Sequence, residues 1–201
     1  MKLQLGKRER DGNAAVRSDV GLLALRLVAG GLMAGHGAQK LFGWFGGHGL
    51  EGTGRVMESL GFQPGKRWAT RAGLGEFTGG VLTALGLFHP IGQIIMLGPM
   101  AVATARVHWG KEIWTASGGA EAPLLYSASA VCAALAGPGR FSLDRLLGIK
   151  VSGKIIALAA AGTAIGTVIA IRHRQARETA GEPEQGEGPV RVEIEEIDSS
   201  V

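Results

Sequence analysis

The chain has 201 residues, 46% of them hydrophobic and 19% charged, with 34 glycines; this fits one domain with a small appendage, and the long apolar stretches without a Gly-X-Y period exclude both a disordered chain and collagen. Its single cysteine, Cys132, excludes a disulfide framework, a CxxC redox pair and a cysteine-built zinc or iron–sulfur site within one chain. Charge is segregated, with 20 Lys/Arg against 9 Asp/Glu in residues 1–177 and 8 Asp/Glu against Arg191 in 178–201, and the basic residues stand at the edges of apolar runs, the pattern of a membrane protein and not of a nucleic-acid binder.

Residues 1–18 form a basic N-terminal segment. A first apolar run, 20–38, is charged only at Arg26 and ends at His36. It starts too far from the N-terminus and is too long for a signal peptide, so it reads as a retained helix. The connection 38–68 is long and Gly-rich, with Gly43-Trp-Phe-Gly-Gly47 unsuited to regular helix. Within it, Thr53–Leu60 reads as a short helix with Val56, Met57 and Leu60 on one face and Gly61 placed to end it. This segment is expected at the membrane surface, where Trp44, Phe45 and Trp68 suit the boundary.

A second run, 72–89, carries only Glu76, and a third, 91–108, carries Arg106 near its end. His89-Pro90 between them forces a tight antiparallel hairpin. A shorter fourth run, 121–136, stops at Gly137-Pro138-Gly139, and a fifth, 154–171, is bracketed by Lys154 and Arg172. Residues 172–201 read as an acidic, disordered tail. Glycines four apart (Gly31/Gly35, Gly75/Gly79 and Gly162/Gly166) are expected to let helices approach closely in lipid. The fold expected is therefore all-α: an integral membrane four-helix bundle over 19–148 with an added fifth C-terminal transmembrane helix. Basic residues favour a cytoplasmic N-terminus, by nine against five, when the flank of the fifth span is left out.

Three segments together resemble the DoxX family of small bacterial membrane proteins. They are His36-Gly-Ala-Gln-Lys-Leu-Phe-Gly-Trp-Phe-Gly-Gly47 with Gly49-Leu-Glu-Gly-Thr53, then Glu76-Phe-Thr-Gly-Gly80, then Gly137-Pro-Gly-Arg-Phe-Ser-Leu-Asp144. The resemblance covers about 18–148. It implies a four-helix bundle in the bacterial inner membrane and a role as an oxidoreductase or quinone-linked subunit associated with redox enzymes. The fifth span and the tail lie outside it.

Two constellations are candidates for chemistry. If His36 and Trp68 share one membrane face, Arg26 and Glu76 lie ~15 Å and ~12 Å below it at 1.5 Å per residue, within a turn of one depth. A charge at mid-bilayer costs ~3 kcal/mol or more and seeks a partner, so Arg26 and Glu76 are expected to pair. Both a static ion pair and a proton or quinone site remain open readings. The antiparallel hairpin returns Arg106 and His108 to the His36 face, where Lys40, Glu121 and Trp44 also stand. His36, Lys40 and His108 are candidate donors to a quinone headgroup, with Trp44, Arg106 and Glu121 as weaker binding candidates. The competing reading is an interfacial belt of snorkelling side chains.

No bound metal or nucleotide is expected. Cys132 reads as packing. Gly137–Asp144 reads as a structural stop, with Ser142 or Asp144 capping a helix through Leu147 and Arg140 pairing with Asp144 at the surface. The functional expectation is a membrane subunit that anchors a soluble or membrane redox partner, with homo-oligomerisation open. No site for the chain's own redox cofactor is recognisable. The alternatives are a non-catalytic membrane scaffold and a small-solute or proton transporter.

Overall fold

The computed structural model describes residues 2–179, with side chains over 14–173. Among the described residues there are seven α-helices and no strands: α1 (Lys2–Phe42), α2 (Gly49–Ser59), α3 (Gly65–Leu85), α4 (Ile91–Arg106), α5 (Glu121–Ala136), α6 (Leu143–Leu147) and α7 (Gly153–Thr179). Short 3-10 turns lie at Trp44–Gly46 and Thr115–Ser117.

The fourth apolar run has the bounds expected of it, 121–136. The first does not: α1 is helical through the basic segment and runs on to Phe42, so the His36–Lys40 stretch is its last turns and not a loop. α3 begins seven residues before 72, at Gly65, and ends at Leu85, where Gly86 takes φ +63° and its N–H bonds back to the Thr83 carbonyl. α7 continues through Arg172 to Thr179, so the first residues expected in the tail are helical; the rest of the expected disordered tail, 180–201, lies outside the described residues. The short helix α2 ends as anticipated. Gly61 adopts φ +81°, its N–H reaches the Glu58 carbonyl at 2.8 Å, and that of Phe62 reaches Met57 at 2.9 Å.

Two stretches, Ala14–Phe42 and Gly153–His173, are long and apolar enough to cross a membrane by length and composition. α4 and α5 are apolar but have 16 residues each, ~24 Å of helix.

The main helix–helix contact joins α1 and α3 antiparallel through glycines seven apart on each: Gly30 and Gly37 on α1, Gly73 and Gly80 on α3. A Cβ at Gly30 would stand 2.7 Å from the Gly80 carbonyl oxygen, and one at Gly37 2.7 Å from that of Gly73. Seven residues is two turns, so such a stripe stays on one face of a helix pair. The expected four-residue spacings fare differently. Gly75 and Gly79 pack on Pro99 and Met96 of α4, but Gly31, Gly35, Gly162 and Gly166 have nothing within 4 Å of a Cβ. Inside the bundle, Met33, Met96, Met100 and Ala130 form the buried core, flanked by Leu97 and Tyr126. α7 lies on α4, where Gly98 faces Thr163 and Thr167. Cys132 is exposed on α5, not packed.

Replacing Gly37 or Gly80 with Val should destabilise the bundle by about 3 kcal/mol, the upper range of overpacking costs. Gly31→Val, on the open side of α1, should leave thermal unfolding in mild detergent near wild type. Equal transitions for Gly31→Val and Gly37→Val would contradict the packing described.

Candidate functional site

The α1–α3 register decides what Glu76 meets. With Gly37 set against Phe77 and Gly73, the next turn of α1 carries Lys40 to Glu76, and the Lys40 Nζ lies 2.5 Å from Glu76 Oε2. The Glu76 side chain is 5% exposed and that of Lys40 27%. A carboxylate so enclosed is costly unless paired, and Lys40 supplies the opposite charge. On the solvent side, Lys66 bridges Glu51 with both side chains largely exposed.

The pair lies on the wall of a cavity of about 840 Å³. His36, Lys40 and His108 of one expected constellation and Glu76 of the other line it. So does Tyr126 of α5, the chain's only tyrosine, whose ring meets that of His36 edge-on at 5.8 Å. Sequence reasoning missed Tyr126, because a lone tyrosine in an apolar run belongs to no spacing pattern; its being the only phenol in the chain was the available signal. His108 Nδ1 is 2.6 Å from the Gly118 carbonyl. A carbonyl only accepts, so Nδ1 carries the proton there. Arg71 sits over the Trp68 ring at 4.8 Å, also on this wall.

Apolar walls complete the cavity. Val56, Met57 and Leu60, the face expected of α2, roof one side. Met33, Met100 and Pro99 supply the interior, and α7 adds Thr163, Thr167 and Ala170. The arrangement offers donors, acceptors and one buried ion pair at one part of an otherwise greasy chamber, which suits a ligand with a polar ring and an apolar remainder.

The other expected residues lie elsewhere. Arg26 is 1% exposed at the opposite end of the bundle, where Nη1 donates to the Pro138 carbonyl at 2.6 Å and Nη2 to that of Phe141 at 2.7 Å. The expected Arg26–Glu76 pair therefore does not form. Because α1 runs to Phe42 and α3 starts at Gly65, Arg26 falls beside Gly86 instead. Asp144 completes this second polar centre. Its carboxylate accepts the N–H groups of Phe88 at 2.8 Å and His89 at 2.7 Å, and its own N–H donates to the Gly86 carbonyl at 3.1 Å.

The 137–144 segment is thus structural, as expected, but Asp144 is buried and the expected surface pair with Arg140 is absent; the Arg140 N–H donates to Asp19 Oδ1 at 3.0 Å. Ser142 does cap α6, accepting the Arg145 N–H at 3.2 Å. Arg106 donates from Nη2 to the Ile171 carbonyl at 2.5 Å, tying α4 to α7. Glu121 accepts the Thr115 N–H at 2.9 Å on the exposed surface. Trp44 is exposed, with its ring 5.0 Å from Phe42. None of these three is among the cavity-lining residues. Among the described residues no group of three or more His, Cys, Asp or Glu is placed to hold a metal ion.

A double-mutant cycle on Lys40 and Glu76 should give a coupling of about 2 kcal/mol, in the range of close, desolvated charge pairs. The exposed Lys66–Glu51 pair should give no more than about 1 kcal/mol. Similar couplings for the two would show that the Lys40–Glu76 pair is solvated. Asp144→Ala should lower stability by about 3 kcal/mol, since it strands two amide donors and removes the negative charge nearest the buried Arg26; a wild-type unfolding transition would show that the 86–89 and 137–144 turns are held by other contacts.

No curated protein and no solved structure matches the chain. Residues 21–109 match the family model of DoxX, a family of membrane proteins. The match takes in His36, Lys40, Glu76 and His108 but not Tyr126, the 137–144 segment or α7. Over residues 21–109, somewhat under half of its length, this chain is similar to the DoxX family.

Proposed function

We propose that the chain is a multi-pass inner-membrane protein whose cavity holds the headgroup of a quinone-class molecule on behalf of a redox partner. The observation that carries this reading is the meeting of His36, Tyr126 and the Lys40–Glu76 pair on one wall of an otherwise apolar cavity.

Support for the membrane part comes from the outside of the bundle. Leu27, Val28 and Leu32 on α1, and Leu125 and Leu135 on α5, are exposed. Only 6% of the most apolar window of α7 is buried. A water-soluble bundle turns such faces inward. The reading is four spans, α1, α3, α4 and α5, with α7 as a fifth. α4 and α5 are short for a ~30 Å hydrocarbon layer, a mismatch that local thinning accommodates. A cytoplasmic N-terminus belongs to this reading, favoured by nine basic residues against five when the flank of the fifth span is left out.

The residues present fit a quinone headgroup. Its two carbonyl oxygens need donors, and His36, Tyr126 and Lys40 are donors that meet on the wall beside Glu76. When bound, such a group carries electrons together with protons. Glu76 is the carboxylate at this wall, and Lys40 pairs with its charged form. His36, beside Tyr126, is an imidazole on this wall that can donate or accept a hydrogen bond. The electrons come from a partner that carries its own redox centre.

Solvent extraction of the full-length chain, purified in mild detergent, should release an isoprenoid quinone detected by mass spectrometry. A short-chain benzoquinone should bind the extracted protein, and His36→Ala and Tyr126→Phe should each weaken it about ten-fold, some 1.4 kcal/mol. Glu121→Gln, away from the cavity, should not. Absence of a quinone in the extract together with equal probe binding by all variants would sink the reading.

A further inference from the structure

α7, with the α5 residues around Tyr126, is a part of the cavity wall that the match to residues 21–109 leaves out, and its inner and outer residues differ. Thr163, Thr167 and Ala170 face inward: the first two lie against Gly98 of α4, and Ala170 is buried. Gly162, Gly166 and Ile169 also line the cavity, yet all three are exposed. A residue that both lines a cavity and meets the outside marks its rim. At Gly162 and Gly166 a Cβ would find nothing within 4 Å, so the rim there is an open notch and not a glycine-mediated helix contact.

The notch is at the level of Glu76. Gly75, the residue before it, sits against Pro99, and the adjoining Gly98 faces Thr163. Glu76 is mid-helix in α3, eleven residues from Gly65, ~16 Å along the axis. The opening is therefore on the flank of the bundle, on a helix whose outer face carries exposed Leu158, Ile165 and Val168. The volume fits as well. About 840 Å³ lies toward the upper end of the ~300–1,000 Å³ typical of small-molecule sites, more than a single polar ring requires.

We infer that the Gly162–Gly166 notch of α7 is a lateral portal through which the apolar chain of the ligand passes from the cavity into the bilayer. The inference rests on the headgroup reading above and adds a ligand class: an amphiphile with a polar ring and a long apolar chain, exchanged sideways with lipid and not through the aqueous ends. Gly162 and Gly166 then set specificity by leaving room for the chain, and larger residues there select for short-chain ligands.

The test uses the full-length chain in lipid nanodiscs and two benzoquinone probes with the same ring, one with a chain of one or two carbons and one with a decyl chain. Gly162→Leu/Gly166→Leu should weaken the decyl probe about ten-fold and leave the short probe within about two-fold. Gly31→Leu, equally open but off the cavity, should change neither. Ile169→Trp narrows the same rim without touching a glycine and should repeat the pattern, which keeps the test valid if the double glycine variant folds poorly. Equal decyl binding by wild type and both rim variants overturns the portal while leaving the headgroup site standing. Equal weakening of both probes also overturns it, because the notch then serves the ring and not the chain. Failure of the wild type to bind either probe overturns the headgroup reading and the portal with it.

Discussion

The close approach of α1 and α3 is the constraint on which the rest depends. Four glycines, two on each helix and seven residues apart, bring the backbones together: a Cβ at Gly30, Gly37 or Gly80 would run into backbone of the facing helix, and one at Gly73 into the movable Leu41 side chain. Such contact admits few alternatives in register, since sliding by one turn replaces glycine with Ala34, Leu41 or Phe77 at the crossing. In a bilayer, where apolar side chains gain little by leaving lipid for protein, this dispersion contact is the main source of helix association. The register it sets has two consequences at once: Lys40 meets Glu76 in mid-bundle, and Arg26 falls beside Gly86, within reach of the 137–144 segment.

The two polar centres that result differ in kind. Around Arg26 and Asp144 the charged groups spend their hydrogen bonds on backbone, fixing the α3–α4 turn against the α5–α6 turn. That centre works as a buckle. Around Glu76 the side chains meet one another and a cavity instead: Lys40 bonds to a side chain, and the rings of His36 and Tyr126 meet at right angles. Groups left facing open volume are the ones able to meet a ligand, so the functional reading falls on this end of the molecule. α2 and α7, both outside the principal α1–α3 contact, supply its roof and one wall.

Much of this was legible in the sequence because composition and local turn chemistry are read residue by residue. The apolar run 121–136 ends where Gly137 and Pro138 end it, and α5 has those bounds. Gly61 ends α2, Ser142 starts α6, and the face of Val56, Met57 and Leu60 lies on the cavity. The 36–47 motif pointed to the family and to five cavity residues, His36 and Lys40 among them. What was not legible is relational. Hydropathy placed the ends of the first two helices at 38 and 72, whereas hydrogen bonding carries them to Phe42 and Gly65. A few residues of error at each end slid the depth estimate far enough to pair Glu76 with Arg26 and not with Lys40. Of the glycine pairs sought at a spacing of four, Gly75/Gly79 does pack on α4, but the main α1–α3 contact runs at a spacing of seven, since the crossing of two long helices decides which glycines meet. Tyr126 and the inner face of α7 carry no motif and become visible only once the helices are assembled.

The most direct test of the account is a register measurement in native membranes, in a Cys132→Ala background. A Cβ at Gly73 stands 3.4 Å from the Cβ of Lys40, close to the ~3.8 Å of a disulfide. Mild oxidation of Lys40→Cys/Gly73→Cys should therefore close a disulfide within the chain, and Arg26→Cys/Glu76→Cys should remain free thiols. A disulfide in the second pair and none in the first would mean that the helices pair in the other register, and both the Lys40–Glu76 site and the cavity built on it would have to be abandoned.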